Sequence, residues 1–336
     1  MDTVLITGGA GFIGSHTCKA LAAKGFEPVA FDDLSRGHAD LVRWGPLVQG
    51  DILDLDALNA AFKRHRPGAV IHFAALAYVG ESMSRPLVYY RVNIVGLLNV
   101  VEAMMRYDVR TIVFSSSCAT YGIPDDLPIV ENAPQRPINP YGRSKLAGEQ
   151  ILTDLHKSEG IEVAILRYFN AAGADPEGEL VERHNPETHL IPLAIDAATG
   201  QGPPLQLFGT DYPTADGTCE RDFVHVSDLA AAHVDALQYL ISSGSSSLTL
   251  NLGTGKANSI RSIVEAVERV TNSTVPVIHA PHRPGDPPVL IADPSRARDL
   301  IGSKPRFSDI DTIVATAWRA RLRDCCDKSA SPASRS

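Results

Sequence analysis

The sequence predicts an α/β protein. A doubly wound parallel sheet occupies residues 1–170, and a smaller α/β domain follows over 171–325. Three observations carry this. Short apolar runs alternate with segments of helical period across the first half. The central runs, Ala69–Ala75 above all, are apolar without alternation, as strands covered on both faces must be. A glycine-rich turn joins the first strand to the first helix.

Taken in order, Val4–Ile6 is the first strand. It ends in Gly8, Gly11 and Gly14, after which Ser15 to Lys24 reads as a helix that stops at Gly25. Glycines at this spacing let the backbone turn tightly against a pyrophosphate at a helix N-terminus, the Rossmann arrangement. Pro28–Phe31 is the second strand and runs into Asp32 and Asp33. An acid about 20 residues past the glycines accepts from an adenosine ribose and repels a 2′-phosphate, which selects NAD over NADP. A strand over Leu47–Gln49, a helix from Asp54 to His65 and the Ala69–Ala75 strand come next. Pro86 to Tyr107 has long helical periodicity. Thr111–Phe114 is a buried strand that runs into Ser115-Ser116-Ser117, and Val163–Tyr168 is another strand. Gly11, Asp32, Asp51, Ala74, Ser117 and Asn170 all fall at or just beyond strand ends, where one crevice collects them.

Between these strands lies Asn139-Pro140-Tyr141-Gly142-Arg143-Ser144-Lys145. Asn139 suits a cap and Pro140 a first helical position, so a helix to about Glu159 puts Tyr141 and Lys145 on one face. A neighbouring ammonium lowers a phenol's pKa, and the pair makes a general base for a sugar or alcohol hydroxyl.

After Asn170 the composition shifts. Residues 171–187 are rich in Gly, Pro, Asp and Glu and read as a loop. Leu190 to Thr199 and Ser227 to Ile241 read as helices, the second capped by Ser227. Leu205–Phe208, Leu248–Leu252, Val275–Ile278 and Val289–Ile291 read as strands. A segment near 221–255 is expected to return to the first domain, and 326–336 to be a disordered tail.

Composition narrows the function classes. With 39 acidic against 31 basic side chains and a net charge of −8, the chain is not built for nonspecific nucleic-acid binding. Its five cysteines (Cys18, Cys118, Cys219, Cys325, Cys326) have no metal-ligand spacing and read as reduced intracellular thiols, with no metal expected. No charged leader precedes the first strand and no apolar run reads as a membrane span. The expected location is cytoplasmic, without membrane partners.

The glycine turn, Ser117 at a strand end and Tyr141-x-x-x-Lys145 together resemble the extended short-chain dehydrogenase/reductases. Further segments tighten the likeness toward the UDP-galactose 4-epimerases: His72–Leu76, Val79–Ser82, Phe114–Gly122, Leu166–Asn170, Phe208–Thr214, Arg221–Val226 and Arg283–Asp286. The likeness spans residues 1 to about 320.

The resemblance implies an NAD-dependent interconversion of UDP-glucose and UDP-galactose. The C4 hydroxyl is oxidised, the 4-keto sugar turns over and is then reduced on its other face. It implies Tyr141, Lys145 and Ser117 as catalytic residues. It implies a cofactor site of Gly8, Gly11, Phe12, Ile13, Gly14, Asp32, Asp33, Asp51, Ile52, Phe73, Ala74, Ala75, Asn93, Ser115, Tyr141, Lys145 and Tyr168. It implies UDP-sugar contacts from Ser117, Tyr141, Asn170, His189, Leu190, Arg221, Arg283, Asp286 and Leu290, and a homodimer formed by the Pro86–Tyr107 and Tyr141–Glu159 helices.

Four positions depart from the pattern: Ala77 for a lysine near the cofactor, Ala119 for a hydroxyl residue, His189 for an asparagine, and Leu290 for a bulky tyrosine. The last predicts a roomier sugar pocket that extends to N-acetylated UDP-hexoses. The Ala77-Tyr78 variant also fits a UDP-arabinose (UDP-xylose) 4-epimerase. A nucleotide-sugar 4,6-dehydratase or a UDP-glucuronate decarboxylase would need acids where Cys118 and Ala119 stand. A noncatalytic NAD-binding module would tend to have lost Tyr141 or Lys145.

Overall fold

The computed structural model describes residues 3–244, 247–282 and 287–330. The first six strands are β1 (Thr3–Thr7), β2 (Glu27–Asp32), β3 (Leu47–Gln49), β4 (Ala69–His72), β5 (Thr111–Ser117) and β6 (Glu162–Tyr168). The later ones are β7 (Asn170–Ala172), β8 (Leu205–Phe208), β9 (Glu220–Arg221), β10 (Phe223–His225), β11 (Ser247–Leu252), β12 (Asn258–Ser259), β13 (Val277–Ala280) and β14 (Val289–Leu290). One parallel sheet runs in the order β11-β6-β5-β4-β1-β2-β3. Strand order reverses at β1, between β4 and β2. A crevice opens there beyond the strands' carboxyl ends.

Both faces of the sheet are covered, which explains its unbroken apolar strands. On one face the helices Phe12–Ala23 and Val226–Ser243 share a core with Val4, Ile6, Ile71 and Val113; Leu21, Leu229 and Leu240 are their anchors. On the other, Leu58 and Phe62 from the helix Leu55–His65, Leu97 and Met104 from Gly96–Arg106, and Leu152 from Pro140–Glu159 pack on Leu5, Val70, Ile112 and Ile165. The segment after residue 221 thus returns to the sheet: β11 pairs with β6, from Ser247 opposite Val163 to Leu252 opposite Tyr168.

The rest of the chain has its own core. Ile191 and Ile195 of the helix Leu190–Ala198 meet Ile263 and Val267 of Ile260–Thr271 and Ile313 and Val314 of Ile310–Ala330. Short ladders join β7 to β10, β8 to β13, and β9 to β12 and β14.

Several expectations need correction. The first helix begins at Phe12, not Ser15, because Gly11 is its N-cap and the glycine turn feeds directly into it. The Val226–Ser243 helix is capped by His225, whose imidazole accepts from the Ser227 amide at 3.1 Å; Ser227 itself does not cap it. The last helix runs to Ala330, so residues 326–330 are helical where a disordered tail was expected; 331–336 lie outside the described residues. The run Pro86–Arg106 is long and apolar enough to cross a membrane, which the sequence reading had not expected. It instead covers the sheet through Leu97, Val100, Val101 and Met104. Its helical winding loosens to a π turn over Arg91–Val95.

Candidate active site

The crevice is a cleft of ≈ 1640 Å³ whose walls come from both halves of the chain. Its floor is the glycine turn. Gly8 has φ +73°, and a Cβ there would sit 2.7 Å from the Ala74 amide nitrogen. A Cβ on Gly14 would come within 2.1 Å of the Gly8 carbonyl oxygen. The helix behind this turn has no side-chain cap at Gly11, so its first amides remain available to an anion.

Asp32, at the end of β2, is buried. Its carboxylate accepts from the Ala10 amide at 3.0 Å and the Leu34 amide at 2.9 Å. Burial raises its pKa, and those two amides oppose the rise. It therefore ties the end of β2 to the glycine turn as well as facing the cleft. Asp33 caps its own turn by accepting from the Ser35 amide and hydroxyl, and Asp51 accepts from the Leu53 amide. Phe12, Ile13, Asp33, Asp51, Ile52, Phe73, Ala74 and Ala75 all line the cleft.

The far wall is built on the Pro140–Glu159 helix. Asn139 accepts from the Gly142 amide at 2.8 Å and Pro140 fills the first position, as the sequence predicts. Tyr141, Lys145 and Glu149 fall four residues apart and are all buried. Tyr141 and Ser117 both line the cleft. Lys145 lies just behind. Its ammonium donates to the Ser115 carbonyl at 2.8 Å and sits 5.1 Å from the Phe114 ring centre.

The electrostatics differ from the sequence expectation. Burial raises the Tyr141 pKa, the nearby Tyr168 adds to the rise, and the Ser117 side chain opposes it. Lys145 itself is pushed down to about 7 by burial, with the Glu149 carboxylate resisting. The reason is that a closed, dry pocket penalises both charged forms before the pair can help each other.

Two further expected cofactor residues, Asn93 and Ser115, stand behind the cleft wall. Asn93, in the π turn, clamps Leu76 through both its backbone groups and donates to Ser144 at 2.9 Å. The Ser115 hydroxyl pairs with Tyr168 at 2.7 Å, and its carbonyl holds Lys145. Tyr168 itself reaches the cleft.

The second half supplies Asn170, His189, Leu190, Arg221 and Leu290 to the same cleft. Arg221 is buried, with one guanidinium nitrogen donating to the Glu220 carbonyl at 2.7 Å. Its neighbour Asp222 gathers the amides of Thr254, Gly255 and Ala292, which fixes β9 in place. Arg283 and Asp286 lie outside the described residues.

The sequence reading passed over Glu182, His184 and Glu187, in a stretch read only as a loop. With His189 they form a tight cluster at the cleft. Imidazoles and carboxylates alternate at 182, 184, 187 and 189, a signal visible in the sequence. Burial alone would lower the His184 pKa, but Glu182 and Glu187 raise it to about 9.

A family model, the NAD dependent epimerase/dehydratase family, matches residues 4–253. The chain is 49% identical over 317 residues to the UDP-glucose 4-epimerase of Rhizobium leguminosarum bv. trifolii, covering 94% of this chain and 96% of that one. The crystal structure of UDP-glucose 4-epimerase from Brucella ovis in complex with NAD is 52% identical and covers 95% of this chain and 98% of that chain, with a TM-score of 0.92. That of UDP-glucose 4-epimerase from Stenotrophomonas maltophila, with bound NAD and formylated UDP-arabinopyranose, is 40% identical and covers 97% of this chain and 100% of that chain, with a TM-score of 0.93.

Proposed function

Since the chain belongs to the NAD dependent epimerase/dehydratase family, we propose that it interconverts UDP-glucose and UDP-galactose at C4, with NAD as its retained cofactor. One observation carries the reading: Tyr141 and Ser117 face the same cleft as the Gly8–Gly14 turn. The residues present fit the cofactor. A side chain on Gly8 would collide with the Ala74 backbone and one on Gly14 with the Gly8 backbone, so only glycines keep this turn tight enough for a pyrophosphate, and Asp32 suits the adenosine ribose. NAD supplies the acceptor and then the donor of hydride.

In this reading Ser117 holds the sugar 4-oxygen against Tyr141. Tyr141 takes the hydroxyl proton as C4 is oxidised and returns a proton when the ketone is reduced. Lys145 holds the cofactor's ribose and supports the phenolate once the cleft is filled. Arg221 and Asn170 anchor the pyrophosphate, and the guanidinium's planar fork suits that group. The sugar turns over between the two hydride steps, which a cleft walled by both halves accommodates.

The test is to incubate purified protein, without added NAD, with UDP-galactose and to resolve the products by chromatography. UDP-glucose is the expected product. A 4-keto-6-deoxy sugar, or no product even with NAD present, would overturn the reading.

Leu290 lines the cleft and is less bulky than tyrosine. We expect UDP-N-acetylglucosamine turnover in the wild type to exceed that of Leu290→Tyr by about 10-fold or more. Equal rates would remove Leu290 as the gate. A pentose arm with UDP-arabinopyranose tests the alternative that the preferred substrate lacks C6.

A homodimer and a cytoplasmic setting belong to the same reading. Exposed Leu87, Val95 and Leu98 on the Pro86–Arg106 run support the first. Free thiols at Cys18, Cys118 and Cys219 support the second.

A further inference from the structure

We propose that Glu182, His184, Glu187 and His189 form a binding site for one divalent transition-metal ion of the zinc class, set in the wall of the cleft. One ligand atom from each residue lies within 4.8 Å of all the others. His184 Nδ1 is 3.4 Å from Glu182 Oε1 and 3.6 Å from Glu187 Oε2. His189 Nδ1 is 3.1 Å from Glu182 Oε1 and 2.8 Å from Glu187 Oε1. A tetrahedral zinc shell with bonds of ~2.0–2.2 Å has ligand–ligand edges of about 3.3–3.6 Å. These four groups are therefore already spaced close to such a shell.

A second observation is independent of the spacing. Glu182 Oε1 and His184 Nδ1 are sealed from solvent, and neither reaches hydrogen-bonding geometry with any group, their nearest polar neighbours being the cluster's own members. The Glu182 side chain is only 5% exposed. Two buried polar atoms aimed at one point without a bond between them are costly, and a cation between them satisfies both.

The neighbouring acidic cluster makes the contrast. Asp175, Glu177 and Glu179 also converge, but the Lys19 ammonium already fills their centre at 2.9, 2.7 and 2.6 Å. Among the described residues, no lysine or arginine pairs with Glu182 or Glu187.

The donor set names the class of ion. Two imidazoles with two carboxylates suit Zn²⁺ and its first-row neighbours better than Mg²⁺ or Ca²⁺, which take oxygen shells. The ion would do structural work. It joins the loop at Glu182 to the start of the Leu190–Ala198 helix, and the His184 ring lies edge-on to Phe12 of the glycine-turn helix, with centroids 6.1 Å apart. The clamp holds one cleft wall against the floor. The proposal does not depend on the reaction assigned above.

The experiment begins with full-length protein stripped by a chelator and shown to be metal-free. Titration with zinc sulfate alone should give one ion per chain, with proton release and a higher melting temperature. His184→Gln and Glu187→Gln, made separately, should each weaken uptake by more than the ~10–100-fold typical of losing an outer-shell partner. Substitution with Co²⁺ in the wild type should give ligand-field bands without a thiolate charge-transfer band. No stoichiometric uptake by the wild type would overturn the site, leaving protonated imidazoles between the carboxylates. Uptake unchanged in both variants, or a thiolate band that moves the ion to a cysteine, would overturn it equally. The cobalt spectrum needs no variant, so the test survives a variant that fails to fold.

Discussion

Tyr141 is a phenol held in a dry pocket, and burial raises its pKa. A base in that state works only once its surroundings favour the phenolate, and removing its oxygen removes the proton acceptor. Tyr141→Phe should lower kcat by about 10²–10⁴-fold while the far-ultraviolet circular dichroism is unchanged. A variant with near-normal kcat would take Tyr141 out of the chemistry. Lys145 gives a separate, stability-based prediction. Its pKa falls from 10.5 in a free chain to about 7 in the fold, so between those values the unfolded chain binds the extra proton. Stability contributed at this site is lowest below pH 7 and recovers as pH rises toward 10.5. In the cofactor-free protein, the denaturation midpoint of wild type should therefore climb relative to Lys145→Met across that window; a constant difference would refute the shift. At this scale the sequence was informative where spacing fixes geometry. Tyr141, Lys145 and the Asn139 cap could be placed by counting along a helix. The burial that reverses the Tyr141 shift could not, because it depends on Tyr168 and the closed cleft around it.

The Pro140–Glu159 helix is fastened to the sheet by a buried ionic group. Arg167 in β6 donates to Glu149 at 2.6 Å and to the Tyr121 hydroxyl at 2.9 Å. Ser116 also donates to Glu149. Losing one member leaves an unpaired charge in the interior, so Arg167→Met should destabilise the protein by about 3–5 kcal/mol in urea unfolding. A loss below about 1 kcal/mol would mean that water or rearrangement rescues Glu149. Elements were legible in the sequence in proportion to how local their signals are. The helix read from Asp54 to His65 is Leu55–His65, and Asp54 is its cap, its carboxylate accepting from the Asp56 and Ala57 amides. The His225 cap could not be read, because an imidazole is an unusual cap and its other nitrogen is held by Thr316, far away in sequence. The helices Ile260–Thr271 and Ser295–Ile301 went unread although the first has a clear apolar stripe at Ile263, Ala266 and Val267. The π turn at Asn93 is set by its clamp on Leu76 across 17 residues and has no local signature.

For the whole molecule, the exposed apolar residues on the Pro86–Arg106 run matter most. Leu87 is 71% exposed, which is a poor arrangement for an isolated chain and a good one for a paired surface. If this face joins two copies, Leu87→Glu should convert a dimer to a monomer in sedimentation velocity at micromolar concentration. A wild type that sediments as a monomer would end the proposal, as would a variant that stays dimeric. The doubly wound parallel sheet was foreseeable from alternating apolar runs, but its strand order and β11 as its seventh strand were not, because β11 comes long after β6 in sequence. The cluster at Glu182–His189 shows in the sequence only as alternating Glu and His, which in a polar, proline-bearing segment reads as connector until folding brings the side chains together.

The late return of the chain has a consequence for how the protein is made. β11 and the Val226–Ser243 helix complete the sheet and one of its covers, yet both are encoded after the chain has already entered the second half. On the ribosome, the first 170 residues emerge with one sheet face covered by the Phe12–Ala23 helix alone and β6 without its outer neighbour. The sheet's second cover and its β11 edge therefore arrive only once residue 252 has cleared the exit tunnel, and until then the part of that face closed by Leu229, Leu237 and Leu240 is open to whatever chaperones the nascent chain.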